Sequence, residues 1–503
     1  MELDAKRFTD DTTLDTDVCI VGAGPAGLVL AAELVDRQCD VIVLESGGHY
    51  PEAEILALNV GDVSGDVYAG LGATRHRQVG GTAHLWNSAV AGAISAKYAP
   101  LDAADFLPRA SRDHSGWPFT VADLRGDYDR AQRICGLGPF AYDAAAWIDS
   151  SHQPWSTIGP RLVSRVYQVG TRDALLSPLR ASIERATNVR LCTHASAVSV
   201  QGDASGRSVT SISIATPGGA RWSVRAKRVV LAAGAVENAR LLLLTDAGAG
   251  AMGNGSGWVG RGFMEHPRDR ALMLHPRSAD AYARSSFYDQ WRAADGTWVV
   301  GRLALGEDAL ASGELLNASA TLVPRLSNTL HRLRAALPSL AARWLQSEGH
   351  GWSRTRGAAR AFGGFSVLLN VEQSPHPENR VTLSARRDSL GVLLPALHWS
   401  WREDDHRRLE RLRAIVAEDL GAIGTMTVDT NARPDPNAHH HAGTTRMHDD
   451  PKLGVTDRHG RVHGTDNLFV AGASTFPTAG FANPMLTIVA LSVRLARHLR
   501  SES

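Results

Sequence analysis

The sequence predicts an α/β chain, α+β overall, in which a parallel βαβ domain is interleaved with an antiparallel-sheet domain. Three observations predict it. A short apolar run, Asp17-Val18-Cys19-Ile20-Val21, stops at glycines 22, 24 and 27 and leads into an apolar-faced helix. A second apolar run ending in glycine, Arg228 to Gly234, returns far downstream. Between residues 270 and 430 the pattern changes to strand-like segments with turn signals such as Pro375-His376-Pro377-Glu378-Asn379.

Composition narrows the function classes. With 503 residues, 44% hydrophobic and 21% charged, the chain can bury one large core or two coupled ones. Lys+Arg 53 balance Asp+Glu 52, so no global field grips nucleic acid or an anionic membrane, and neither is an expected partner. The four cysteines, Cys19, Cys39, Cys135 and Cys192, have no metal-ligand or C-x-x-C spacing, and a reducing cytoplasm fits them. Met1 to Asp17 is polar and acidic-leaning, and no long uncharged apolar span follows, so neither export nor membrane insertion is expected.

The elements follow in order. Leu28, Ala31, Ala32, Leu34 and Val35 give the first helix its apolar face, and Val41-Ile42-Val43-Leu44 is the next buried strand, ending on Glu45. Residues 50 to 100 read as loops and short helices, with a second glycine cluster at Gly80-Gly81-Thr82. Val121, Leu124, Tyr128, Ala131 and Ile134 recur at helical spacing. Alternation over Val189 to Val200 and Val209 to Ile214, broken by Gly202 to Gly206, predicts a hairpin. A helix is expected from Glu237 to Leu244, and a strand ending at Gly472. Arg325 to Arg360, rich in arginine, leucine and alanine, reads as a solvated helical hairpin or an amphipathic cover. The domain boundaries expected are 1–100, 186–268 and 430–503 for the βαβ domain, and 101–185 and 269–429 for the other.

The glycine run carries chemistry. Gly22, Gly24 and Gly27 permit a tight turn, close backbone approach to a pyrophosphate and tight helix-on-strand packing, while the helix N-terminus offers free N–H groups to the anion. Glu45 stands 18 residues past Gly27, where a carboxylate accepts hydrogen bonds from ribose hydroxyls and repels a ribose phosphate. Strand, helix, second strand and acid in that order predict a Rossmann-like dinucleotide site. Glycine-ended strands near 234 and 472 point to one cofactor touched by remote segments, as FAD is in large flavoproteins.

Four blocks then resemble the glucose–methanol–choline family of FAD-dependent oxidoreductases, over nearly the whole chain. They are Val21 to Gly27 with Glu45, Arg77 to Trp86, Val230 to Leu242, and the C-terminal pair His439-His440-His441-Ala442-Gly443-Thr444 with Asn483-Pro484. Trp258 to Pro267 and Asn379 to Leu383 are similar to family segments too. The resemblance implies FAD held by Gly22, Gly24, Ala26, Gly27, Glu45, Gly80, Gly81, Thr82, Ala233, Gly234, Gly472, Asn483 and Pro484. It implies a small polyhydroxylated substrate, a sugar, glycoside or polyol, with Trp86 and His441 at its pocket. A histidine three residues before the Gly-Thr pair is the family's base, which selects His440, and the second catalytic position falls on Asn483. A His/Asn pair is similar to the pyranose oxidase and sugar dehydrogenase branch. Leu85 stands where covalent members often place a histidine, so non-covalent FAD is expected.

Oxidising an alcohol removes a proton from oxygen and a hydride from carbon. A neutral imidazole, with an ordinary pKa near 6.5, suits the first task, and such assistance contributes about 10²–10⁴-fold. Asn483 can donate its amide N–H to the same oxygen. Three consecutive histidines do not converge well on one ion, and no metal is expected. His84, His266 and His376 read as packed or solvated, and Arg446 as a loop brace. A hydroxynitrile-lyase-type member of the family and a flavin monooxygenase stay open as alternatives. Oxygen, a quinone or a partner protein stay open as electron acceptors, and the oligomeric state is not legible.

Overall fold

Val18 to Val21 and Val41 to Leu44 are apolar at every position because both faces of these strands are covered, and both lie at the centre of the first sheet. The computed structural model describes residues 1–109, 113–245, 252–311, 314–327, 351–354 and 358–501. In the first sheet the strands run in the order Glu2–Asp4, Val189–Thr193, Val41–Leu44, Thr13–Val21 and Arg221–Leu231, all parallel. The long strand Arg221–Leu231 then serves two partners. Its first half pairs antiparallel with Val209–Ala215, itself paired to Ser196–Gly202, and its last three residues pair parallel with Leu468–Val470.

The predicted hairpin is present, but Val189–Thr193 is not part of it. His194 takes a left-handed φ of 55° and breaks the run, so the first half joins the parallel strands and the second half forms the hairpin.

The second sheet is antiparallel throughout. Its order is Gly424–Val428, Arg268–Pro276, Phe362–Val371, Ala318–Leu326, Trp298–Leu305, Leu162–Thr171, Ala93–Tyr98 and Ser88–Val90. The last two strands lie before residue 100, so the antiparallel sheet begins earlier in the chain than the expected boundary. A third, three-stranded sheet joins Arg380–Arg387, Leu393–Trp399 and Asp62–Gly65.

Within 270–430 an 18-residue helix, Glu403–Leu420, interrupts the strands. Leu409, Leu412, Val416 and Leu420 form its buried stripe, and Glu403, Asp404 and Asp405 sit in its first turn, where the helix dipole favours acids. The C-terminal helix Met485–Ser501 packs against the first helix, Pro25–Glu33, and against Arg125–Ile134. Most of the Arg325 to Arg360 segment lies outside the described residues. Among the described residues no helix is long and apolar enough to cross a membrane.

Candidate active site

Three strand ends meet at one edge of the first sheet. Thr13–Val21, Arg221–Leu231 and Leu468–Val470 are neighbours, and each runs on into a glycine-bearing turn at Gly22, Gly234 and Gly472. Gly22 is left-handed, with φ 108°, and a Cβ there would lie 2.8 Å from the Ala232 carbonyl oxygen. A Cβ on Gly27 would fall 1.9 Å from the Gly22 carbonyl oxygen, so the helix rests directly on the turn. At Gly24 and Gly234 a Cβ would meet nothing within 4 Å. Those two glycines bare backbone without being required by packing, as a site that receives a pyrophosphate needs.

The Gly80-Gly81 loop closes on this turn. The Gly80 N–H donates to the Ala23 carbonyl at 2.8 Å, and a Cβ on Gly81 would lie 2.9 Å from Gly24 Cα. Thr82 is exposed beside it, Ala233 is half-buried and Ala26 is buried against Gly472. Glu45 is 6% exposed and accepts the N–H groups of Ala23 at 2.9 Å and Gly47 at 3.0 Å, so its carboxyl braces the glycine turn. Burial raises its pKa. An arginine cluster fixes the same loop: Glu237 pairs with Arg75, with Arg77 at 3.0 Å and with Arg240 at 3.3 Å, all largely buried.

The C-terminal stretch reaches this edge through backbone. Gly443 N–H donates to Ala473, Thr445 N–H to Ser474 and Met447 N–H to Thr475, while the Thr444 hydroxyl donates to the Ala235 carbonyl. Asn238, fully buried, ties the pieces together. Its Oδ1 accepts the Ala233 N–H at 2.8 Å, and its Nδ2 donates to the Ala471 carbonyl at 3.2 Å and the Ser474 hydroxyl at 2.9 Å.

The three histidines do not share a direction. His439 takes a left-handed φ of 60°, so the run is not a regular extended strand. His440 turns toward His266, with Nδ1 to Nδ1 at 3.0 Å, and the far nitrogen of His266 lies 3.2 Å from the Ala479 carbonyl. His441 turns the other way: its Nε2 is 2.9 Å from the Tyr68 hydroxyl and 3.4 Å from Glu265, and its side chain is 7% exposed. The position expected at the substrate pocket is therefore enclosed in a polar network. His439, His441 and Glu265 bring one ligand atom each within 4.8 Å of one another, while His440 faces His266 instead, so the three consecutive histidines do not converge together. The left-handed turn at His439 lets its side chain and that of His441 reach one place, and the acid arrives from a distant segment. Tyr68 already occupies this group, donating its hydroxyl to Glu265 at 2.5 Å.

Glu265 organises the whole cluster. One carboxyl oxygen, Oε2, accepts the backbone N–H of His440 at 2.9 Å and that of His266 at 3.2 Å. Its own N–H donates to Gln373 Oε1, which also receives the Trp399 indole N–H. Burial pushes the Glu265 carboxyl up to about 7, lowers His266 to about 4 and His441 to about 3, and holds His440 well below the ordinary histidine range. All three rings are therefore neutral at neutral pH. As whole residues His440 and Asn483 are half-buried, whereas Phe481 and Ala482 are buried.

Pro484 starts the C-terminal helix segment, accepting the Ile488 N–H. Trp86 packs edge-on against Tyr98. Arg446 is buried, as a brace should be, donating to the His114 carbonyl at 2.6 Å and lying over the Trp258 ring at 4.9 Å. Tyr68, Glu265, His266 and Asn238 were missed as site residues. Only the adjacent acid, histidine and proline of Glu265-His266-Pro267 signalled any of them, and nothing local says which loop they meet.

Comparison with known proteins agrees with this geometry. Residues 20–50 match a profile described as an NAD(P)-binding Rossmann-like domain, and residues 375–492 match one described as GMC oxidoreductase. The chain carries the C-terminal domain of the GMC oxidoreductases beside a Rossmann-like domain, and its relatives are GMC oxidases and dehydrogenases. Paromamine 6'-oxidase of Streptomyces fradiae is 24% identical over 96% of this chain and 90% of its own. C-glycoside 3-oxidase of Microbacterium trichothecenolyticum is 37% identical over 23% of each chain. In fold the chain is similar to pyridoxine 4-oxidase from Mesorbium loti, with a TM-score of 0.54 and 17% identity over 96% of this chain and 99% of that one. GMC oxidoreductases are FAD flavoproteins, and the bared glycines at the strand ends of this chain fit that group.

Proposed function

We propose that this protein oxidises a primary or secondary hydroxyl of a sugar, glycoside or polyol to the carbonyl, with His440 as base and Asn483 as its hydrogen-bonding partner. The observation that carries the reading is the link from His440 through His266 to Ala479, which draws the Gly443-Thr444 segment and the Asn483 loop together. FAD, when bound, supplies the hydride acceptor. His440, neutral, takes the hydroxyl proton. Asn483, which makes no hydrogen bond among the described residues, donates its amide N–H to the same oxygen as negative charge develops there.

The antiparallel sheet supports a polyhydroxylated substrate. Side chains alternate across its faces, and the register puts Lys97, Tyr167, Arg302, Ser319 and Thr321 on one face, with Val166, Leu303, Ala320, Leu322 and Val367 on the other. The polar face meets the C-terminal loop: the Arg302 guanidinium lies 4.3 Å from the Phe481 ring centroid, two residues before Asn483. Among the described residues Arg302 Nη1 and Thr321 Oγ1 are buried without a partner, beside the hydroxyls of Tyr167 and Ser319. Polar groups in such number suit a ligand rich in hydroxyl oxygens. The relatives named for paromamine and C-glycosides point the same way.

Non-covalent FAD is part of the proposal. The histidine nearest to the expected attachment position, His84, is turned onto the Val79 carbonyl at 3.0 Å. Four free thiols support a reducing compartment. The division of labour proposed is cofactor on the parallel sheet and substrate under the antiparallel one. Anaerobic addition of D-glucose, a methyl glucoside, glycerol and a cyanohydrin tests the reading. Bleaching of the yellow flavin band by a hydroxyl donor is expected. Cyanohydrin cleavage with no bleaching by any alcohol would overturn it in favour of a lyase.

A further inference from the structure

We infer that His266 sets the proton tautomer of His440, so that His440 carries its proton on Nδ1 and presents the bare lone pair of Nε2 to the substrate. The inference deepens the reading of His440 as base and rests on it. It makes His266 a positioning residue.

The argument is one of donors and acceptors. The Ala479 carbonyl oxygen can only accept, so His266 Nε2, at 3.2 Å, must carry a hydrogen. His266 is 1% exposed and neutral, so its other nitrogen, Nδ1, is bare and can only accept. His440 Nδ1 lies 3.0 Å from it. Two bare nitrogens at that distance repel, and the pair is satisfied only when His440 Nδ1 is the donor. A neutral imidazole has one N–H, which leaves Nε2 of His440 as the lone pair. In water the side chain of histidine prefers the opposite tautomer, with its hydrogen on Nε2, so the base needs this contact to be ready.

The placement is fixed at both backbones. Glu265 Oε2 accepts the N–H of His266 and of His440, so one carboxyl oxygen sets the distance between the two rings. Through Ala479 the same ring reaches the loop that ends at Asn483. The charged and titratable groups facing His440 are His266, Arg268, His439 and His441, with Glu265 behind the backbone. When His440 takes the substrate proton on Nε2, its Nδ1–H still donates to His266, and no proton need leave the pair.

Nitrogen-15 spectra of histidine-labelled holoenzyme test this directly, with His440 assigned by the signals lost in His440→Gln. A protonated Nδ1 and a bare Nε2 are expected for His440. A protonated Nε2 would overturn the inference. In His266→Leu the acceptor is gone, and a mixture or reversal of the tautomers is expected. In His266→Asn, where the amide oxygen stands near the place of Nδ1, the Nδ1-protonated form should return. If the leucine variant fails to load FAD, the wild-type and asparagine spectra still decide. Flavin reduction should fall about 10–100-fold in the leucine variant and recover in the asparagine one, the range typical of removing a group that orients a reactive histidine. Equal rates in all three would overturn it. Undiminished reduction in His440→Ala would remove His440 as base, a separate failure that leaves the tautomer spectrum standing.

Discussion

Replacing Asn238 with alanine tests whether one side chain joins the fold to the cofactor site. Asn238 is fully buried and makes three hydrogen bonds, to Ala233, Ala471 and Ser474, which lie just past two adjacent parallel strands. A neutral buried hydrogen bond contributes about 1 kcal/mol net, so the three come to about 3 kcal/mol. Alanine also strands polar groups. The Ala471 carbonyl, on a residue 4% exposed, loses the amide donor, and an unsatisfied buried group costs about 1–3 kcal/mol. The expected loss is therefore about 4–6 kcal/mol. Because Ala233 and Gly234 lie at the bared glycine turn, FAD retention should fall with it. Urea unfolding of the FAD-loaded protein, followed by circular dichroism and by flavin fluorescence, reads both quantities. A loss below about 1 kcal/mol with full FAD content would refute the reasoning, because three buried bonds cannot vanish so cheaply. Asn238→Asp keeps the acceptor, loses both donors and adds a buried charge, so it should be no more stable than the alanine variant.

Three further outcomes are expected. Glu237→Gln leaves Arg75, Arg77 and Arg240 without their shared carboxylate and should cost about 3–5 kcal/mol in urea unfolding, with weaker FAD binding because Arg77 leads into the Gly80-Gly81 loop. Asn483→Ala should retain FAD, since its side chain bonds to no described residue, yet slow anaerobic flavin reduction by about 10²–10³-fold, the effect of losing one donor to a developing oxyanion. Acid stability should carry the sign of the histidines. His266 and His441, lowered to about 4 and about 3, bind protons on unfolding below about pH 6.5, so their stabilisation is lost as pH falls from there toward 4. Glu265, raised to about 7, acts oppositely between about 7 and 4.5, because its folded form holds a proton that the unfolded chain releases. Two histidines, joined by His440, outweigh one carboxyl, so stability falls on acidification, and His266→Leu should flatten the slope by about 1.4 kcal/mol per pH unit. An unchanged slope would show that His266 is not held neutral.

Local sequence determined the parallel core and the cofactor. Val18 to Val21 and Val41 to Leu44 are apolar at every position, Gly22, Gly24 and Gly27 punctuate them, and such runs and turns are encoded by neighbours in the chain. His440 before Gly443-Thr444 was singled out by the family resemblance of that segment rather than by a local pattern. The helix Glu403–Leu420 was not read, although its stripe of Leu409, Leu412, Val416 and Leu420 is local, because the turn signals around it dominated the region. The break at His194 was hidden as well, since a single left-handed residue leaves no periodic trace.

What only the tertiary structure decided is which groups share a hydrogen bond. His440 meets His266 across 174 positions, Tyr68 meets His441 across 373, and Asn238 meets Ala471 across 233. No spacing rule reaches that far, because the partners are set by strand order and loop path. Sequence separated His440 from its two neighbours but named no partner for any of the three. The path of the folded backbone gives His440 to His266 and His441 to Tyr68 and Glu265, and that division, made by geometry, separates the proposed base from the network that holds it.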